Sequence, residues 1–151
     1  MRRDLNPKEN THILANNYIG YLAYMYHERP FIVPITYFYD QENNTIICYS
    51  NEGHKLTAMR QNHHVSLCVA DIDSVNDWES VVAYGTFREL VGSEAKTQLH
   101  TFTLGVKDLI INKELRKLDY IQQFSAKFKA DDLPAVFVIN VSEITGKLRR
   151  S

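Results

Sequence analysis

Tyr18-Ile19-Gly20-Tyr21-Leu22-Ala23-Tyr24-Met25-Tyr26 is followed, after His27-Glu28-Arg29-Pro30, by Phe31-Ile32-Val33-Pro34-Ile35-Thr36-Tyr37-Phe38-Tyr39, and this pair of runs decides the fold. β-branched and aromatic residues dominate both, which suits the pleated, half-buried surface of a strand. The short polar break between them makes a hairpin. Six of the nine tyrosines lie between Tyr18 and Tyr39, so the aromatic content is concentrated in this one unit. Asp40-Gln41-Glu42-Asn43-Asn44 is a polar turn, and Thr45-Ile46-Ile47-Cys48-Tyr49-Ser50 supplies a third strand, which extends the hairpin into a meander.

Beyond the meander the period changes. Leu56 and Met59 stand three apart within Gly53–Asn62, which predicts a short helix. Val65–Ala70 returns to strand, Asp71–Asp77 reads as an acidic, turn-rich loop, and Glu79–Val91 is a long strand interrupted by Gly85. A glycine inside a strand pattern marks a bulge or a close backbone approach, as where a barrel wall bends. Upstream, a helix is expected around Lys8–Asn17. Downstream, Ser93 is placed as the N-cap of a helix carrying Leu99 and Phe102 on one face. Leu115, Leu118, Ile121, Phe124 and Phe128 mark a further amphipathic helix. Ala135–Val141 is the final strand, followed by Glu143–Ser151 with a basic tail at Lys147, Arg149 and Arg150. These elements define an α+β, mainly antiparallel fold: one domain over residues 1–151, a six-stranded barrel with flanking helices. A barrel this small fills its own interior, so a ligand belongs at a wall, a mouth or a subunit interface.

Composition agrees with one ordinary globular domain. The 151 residues are 44% hydrophobic and 23% charged, which excludes collagen-like, disordered and low-complexity classes. Seventeen Lys and Arg against eighteen Asp and Glu leave a net charge of -1 and no field for general nucleic-acid binding. Cys48 and Cys68 are too few for a disulfide framework, which points to a reducing cytoplasmic compartment. No apolar run resembles a signal peptide or a membrane span.

Three features carry candidate chemistry. In Tyr49-Ser50-Asn51-Glu52-Gly53-His54-Lys55 a strand ends in a glycine-containing turn and the expected helix opens with a basic residue. Free backbone N–H groups and the positive end of the helix dipole offer donors to an anion such as phosphate, with Lys55 adding charge and Ser50 a hydroxyl; a solvated helix cap with a surface lysine is the plain alternative. Pro34, in mid-strand, cannot donate to a ladder and so belongs at an edge or bulge. Trp78, the single tryptophan, meets a strand start in Trp78-Glu79-Ser80-Val81-Val82, where packing anchor and ligand wall are both open. His63-His64, His54 and His100 lack metal-ligand spacing, and Asp71, Asp73 and Asp77 lack the glycine and closing glutamate of a calcium loop, so no metal is expected.

The order of a Pro34-containing strand, a strand ending at Gly53-His54-Lys55, a helix, Trp78-x-Ser80-Val81-Val82 and a strand bent at Gly85 resembles the pyridoxamine 5′-phosphate oxidase-like FMN-binding split barrels. The nitroimidazole-resistance type is the nearest branch. The resembling stretch runs from Ile19 to Val91, and Ile144-Thr145-Gly146-Lys147 is similar to that branch's C-terminal segment. The resemblance implies a homodimer with FMN in grooves at the subunit interface. It implies that Val33, Pro34, Ile35, Thr36 and Tyr37 lie along the flavin ring, largely through backbone groups. It assigns the phosphate to Tyr49, Ser50, Gly53, His54 and Lys55, and brings Trp78 and Ser80 to the same cofactor. The oxidases proper carry Arg where this chain has His54, which implies weaker bidentate phosphate holding and an affinity open to pH.

The expected function is that of an FMN-dependent oxidoreductase, with nitro- or quinone-type acceptors and a reduced nicotinamide donor implied at family level. The flavin would perform the transfer, and no side chain is identified as acid, base or nucleophile. Two alternatives stand beside it. One is a flavin- or haem-binding module without turnover, any of six histidines serving as axial ligand; the other is a deazaflavin-dependent reductase. A barrel this aromatic leaves an apolar flank to be covered, which again points to a two-fold dimer.

Overall fold

The computed structural model of the protein describes residues 1–114 and 134–151. Its elements are β1 (Arg2–Asp4), α1 (Pro7–Ala15), β2 (Ile19–Tyr26), β3 (Arg29–Asp40), β4 (Thr45–Ser50), α2 (His54–Gln61), β5 (His64–Ser74), β6 (Asp77–Glu89), α3 (Gly92–Glu114) and β7 (Ala135–Arg149). The sheet runs β1-β7-β4-β3-β2-β5-β6 and a further β6–β7 pairing closes it into a ring. All pairings are antiparallel. The α+β split-barrel reading is therefore the observed fold.

The ring closes because β7 is long enough to serve two sets of neighbours. Its first part, through Asn140, pairs with β4 on one side and with the end of β6 on the other. Its second part pairs with the start of β6 and, at Lys147–Arg149, with β1. Gly85 sits where the β6–β7 register shifts, and a Cβ there would lie 2.2 Å from the Asn140 carbonyl oxygen. Only glycine allows that approach, as its place in the strand suggested.

Local sequence explains the element ends. Asn6 and Glu9 form a capping box around Pro7 at the start of α1, so four backbone and side-chain groups satisfy one another. The β2–β3 hairpin turns through His27 and Glu28, both left-handed with φ of 49° and 63°, the hand that matches strand twist. Pro34 stands opposite Tyr21 in β2, while β4 pairs only with Tyr37–Asp40 of β3. The Tyr37 N–H donates to the Tyr18 carbonyl at 2.8 Å, on the β2 side. By strand alternation the backbone nitrogen of Pro34 then points to the open side, where a missing N–H costs no ladder bond.

Four sequence expectations are corrected. There is a seventh strand, β1, whose Arg-Arg-Asp sequence has no apolar pattern and is held by its partner β7. The acidic segment from Asp71 is not a loop: β5 continues through it, opposite Trp78 and Glu79, and the chain turns at Val75-Asn76. The basic tail is the second part of β7. Ser93 lies inside α3, which starts at Gly92 in the left-handed region. The helix expected over Leu115–Phe128 falls outside the described residues.

Two apolar clusters follow from the closure. Inside the ring, Leu22, Tyr24, Ile35, Tyr37, Ile46, Leu67, Val81, Phe137 and Ile139 pack with Leu14 of α1 and Leu56 and Met59 of α2. Outside it, α3 lays Phe102, Val106 and Ile110 on Ile47, Val136 and Val138. Strand β4 and the first part of β7, Ala135–Ile139, are thus covered on both faces, which is why they read as unbroken apolar runs. Among the described residues, the outer faces of β2, of β6 and of the first part of β3 have no such cover, whereas Phe38 near the end of β3 packs with the α3 cluster: Tyr21 is 54% exposed, Ile32 68% and Tyr84 42%.

Candidate functional site

The turn after β4 carries the strongest local chemistry. Ser50 ends the strand opposite Ala135 and is almost fully buried, its hydroxyl donating to the Asn51 carbonyl at 2.9 Å. Gly53 is the N-cap of α2 in extended backbone, and no side chain among the described residues caps the helix. The first intrahelical donor is the Thr57 N–H, bonded to the Gly53 carbonyl at 3.2 Å. The N–H groups of His54, Lys55 and Leu56 precede it and have no intrahelical acceptor, so they define a positive, donor-rich end. Lys55 makes no ion pair among the described residues, and its charge reaches the buried Cys48 thiol, whose pKa burial pushes up and Lys55 partly pulls back.

His54 is braced by residues that the sequence reading did not assign to the site. Its Nδ1 lies 3.0 Å from the Tyr24 hydroxyl, and its ring packs against Tyr26 at 4.9 Å and Phe31 at 4.6 Å between centroids. Phe31 in turn stacks on Tyr24, and the Arg29 guanidinium lies over the Phe31 ring at 5.5 Å. Tyr24 and Tyr26 share one face of β2 by period-two spacing. That spacing was visible in the sequence; the fact that α2 begins against it was not.

Within Val33–Tyr37 the strand divides by face. Val33, Ile35 and Tyr37 turn into the core, and the Tyr37 hydroxyl donates to the Leu14 carbonyl at 2.7 Å. Pro34 is exposed and Thr36 half-buried on the other face, beside the edge that β4 leaves open. A ligand lying along this strand meets Pro34, Thr36 and free backbone groups, not the side chains of Ile35 or Tyr37.

Trp78 and Ser80 are not brought to the turn within one chain. Trp78 pairs with Arg149 and Ser80 with Lys147, whereas Ser50 pairs with Ala135 at the other end of β7. At ~3.3 Å per residue, about 45 Å of strand separates those ends. The Trp78 end lies near Asn17, whose amide reaches the Asp71 carboxylate at 3.3 Å. The α2 end lies near Tyr24 and Tyr26.

A closed antiparallel ring with a helix-capped turn after its third barrel strand defines a split-barrel protein. Residues 6–147 match the family model described as pyridoxamine 5′-phosphate oxidase, and the chain belongs to that family. An uncharacterized protein of Rhizobium meliloti is 33% identical over 104 residues, 68% of each chain. A FAD-binding protein of Mesorhizobium loti superposes with a TM-score of 0.77 at 24% identity, covering 100% of this chain and 98% of its own. A candidate 5-nitroimidazole antibiotic resistance protein of Bacteroides thetaiotaomicron superposes with a TM-score of 0.69 at 15% identity, covering 98% of this chain and 89% of its own. No helix among the described residues is long and apolar enough to cross a membrane.

Proposed function

We propose that this protein binds FMN at the interface of a homodimer and acts as a flavin-dependent oxidoreductase. The observation that carries this reading is the start of α2, uncapped among the described residues, where three N–H groups without an intrahelical acceptor stand beside Lys55 and the braced His54. A phosphate monoester needs that combination of backbone donors and full positive charge. Ser50 lies at the base of the turn, whereas the Tyr49 ring packs edge-on against Phe102 of α3 at 5.2 Å and so is not turned to a ligand there; the open edge at Pro34 and Thr36 offers a wall for a planar ring. Bound there, the flavin supplies electron or hydride transfer; the protein holds its phosphate and shields one ring face. The Mesorhizobium loti neighbour is described as FAD-binding, so flavin is common ground and FMN the more specific claim.

An exposed apolar face supports the dimer reading. The outer face of β3-β2-β5-β6 aligns Pro34, Tyr21, Cys68 and Val82 in one row and Ile32, Ala23, Ser66 and Tyr84 in the next. A shallow hollow of about 250 Å³ between Met25, Pro30, His64 and Tyr84 continues the same face. An apolar surface of this extent on a small domain calls for a partner, and a second copy placed by a two-fold axis covers it with itself.

The test is the absorption spectrum of the purified protein, repeated after adding FMN or FAD and removing the unbound fraction. Two broad flavin bands retained at one per chain are expected. A Soret band, or a colourless protein that retains neither flavin, overturns the reading. Oxidation of a reduced nicotinamide with nitro or quinone acceptors then tests turnover; a tightly bound flavin without turnover makes the protein a carrier or sensor.

A further inference from the structure

The turn that precedes α2 contains a carboxylate of its own, Glu52, two residues ahead of the helix. The free N–H groups and dipole of a helix start attract a negative side chain placed this close to it. Here that does not happen. The Glu52 carboxylate is held by Arg60, in the last turn of the same helix, through Nη1 to Oε2 at 2.9 Å and Nη2 to Oε1 at 2.6 Å. The guanidinium also reaches Glu89 at the end of β6, through Nε at 2.6 Å and Nη2 at 3.1 Å. One planar group thus takes two carboxylates, each in bidentate fashion.

The direction of the pull matters more than its strength, since exposed ion pairs contribute little stability. Arg60 draws Glu52 along the helix away from His54, Lys55 and Leu56, while Glu89 fixes Arg60 to the barrel so that it cannot follow Glu52 back. We infer that Arg60 is a positioning residue of the anion site: it withholds the chain's own carboxylate from the start of α2 and keeps that end open for an external phosphate. This rests on the reading of the turn as a phosphate site, although the competition it describes takes place within the chain itself. Released from Arg60, Glu52 becomes an internal competitor, capping the free N–H groups and opposing an incoming anion by like charge.

Two measurements on the full chain test it. In flavin titrations with FMN and FAD, Arg60→Gln is expected to weaken binding by about twofold to fivefold, the scale of a carboxylate moved to a helix N-terminus. Adding Glu52→Gln to that variant is expected to restore wild-type affinity. A merely structural Arg60 predicts no rescue, because the link to Glu89 stays broken in the double variant. Glu52→Gln alone, at an exposed position, is expected to leave binding unchanged or tighter, and weaker binding there overturns the inference. The second readout needs no ligand: amide hydrogen exchange at His54, Lys55 and Leu56 should slow in Arg60→Gln and return to the wild-type rate in the double variant. Unchanged exchange in Arg60→Gln overturns the inference even if flavin binds. Wild-type protein that binds no flavin while the exchange pattern appears overturns the phosphate reading and leaves the clamp standing.

Discussion

The Tyr24 hydroxyl and the His54 imidazole, thirty residues apart in sequence, meet at 3.0 Å and join the inner face of β2 to the first residue of α2. Burial raises the Tyr24 pKa, so the phenol is a neutral partner across the working pH range. Tyr24→Phe keeps the ring that stacks on Phe31 and removes only this tether. The expected result is a stability loss of about 1 kcal/mol in urea unfolding together with weaker flavin binding, because the imidazole is no longer oriented. Unchanged flavin affinity would show that the brace serves packing alone.

Lys55 supplies full charge to the open end of α2. Lys55→Glu should reduce flavin affinity by about tenfold or more, and Lys55→Gln by less, since a reversed charge repels the phosphate where a neutral one merely fails to attract it. Fluorescence titration reads both. Equal affinity in the wild type and Lys55→Glu removes the phosphate from this turn.

Tyr21 occupies the middle of the exposed apolar row between Pro34 and Cys68. A carboxylate introduced there should be tolerated by the monomer fold, because the side chain is 54% exposed, yet it is incompatible with an apolar interface. Light scattering should show Tyr21→Glu as a monomer and the wild type as a dimer, with flavin retention lost alongside. A dimeric Tyr21→Glu variant would move the interface elsewhere.

At Gly85 the nearest atom to an added Cβ is a backbone oxygen, that of Asn140, so no rotamer change relieves the clash. Gly85→Ala should destabilise the protein by about 1–3 kcal/mol, the range for overpacking a fixed site. Gly53→Ala, whose Cβ meets nothing closer than 4.0 Å, is the control for unfolding measurements.

Glu9 accepts from Arg3 and from the Asn6 backbone, and these bonds lower its carboxyl pKa to about 2 from 4.5. A carboxylate depressed in the folded state adds stability that is complete above the unfolded value and disappears as pH falls from about 4.5 toward 2. Melting temperatures of the wild type and Glu9→Gln should therefore differ at pH 6 and converge near pH 2. A gap that persists at pH 2 would place the effect in packing rather than charge.

Much of the fold was legible because one face of most strands is buried. The alternation through Tyr18–Tyr39 and the apolar runs at Ile46-Ile47-Cys48 and Val136–Ile139 report their surroundings directly. The arm beyond Val69 in β5 has exposed residues on both faces, so it carries no alternation and reads as loop. β1 has no pattern for the same reason. At the site, the Ser50–Lys55 turn was legible because its chemistry is local. The Tyr24, Tyr26 and Phe31 brace and the Arg60 clamp depend on tertiary pairing across 8 to 30 residues, which spacing does not encode. Trp78 and Ser80 fall between these cases: order along the chain singles them out, but order does not say how far β7 sets them from the Ser50–Lys55 turn.

The double pairing of β7 also bears on how the protein is made. During synthesis β7 emerges after all the other strands, so a nascent chain that ends before Ala135 presents β4 and β6 as unpaired edges. Closure then joins segments far apart in sequence, as when the Met1 amino group donates to the Arg150 carbonyl at 2.6 Å. Such contacts form slowly, and open strand edges invite pairing with other chains. The period of greatest exposure to misassembly therefore lies between translation of β6 and arrival of β7, and a chaperone acting on this protein would have that half-built sheet as its client.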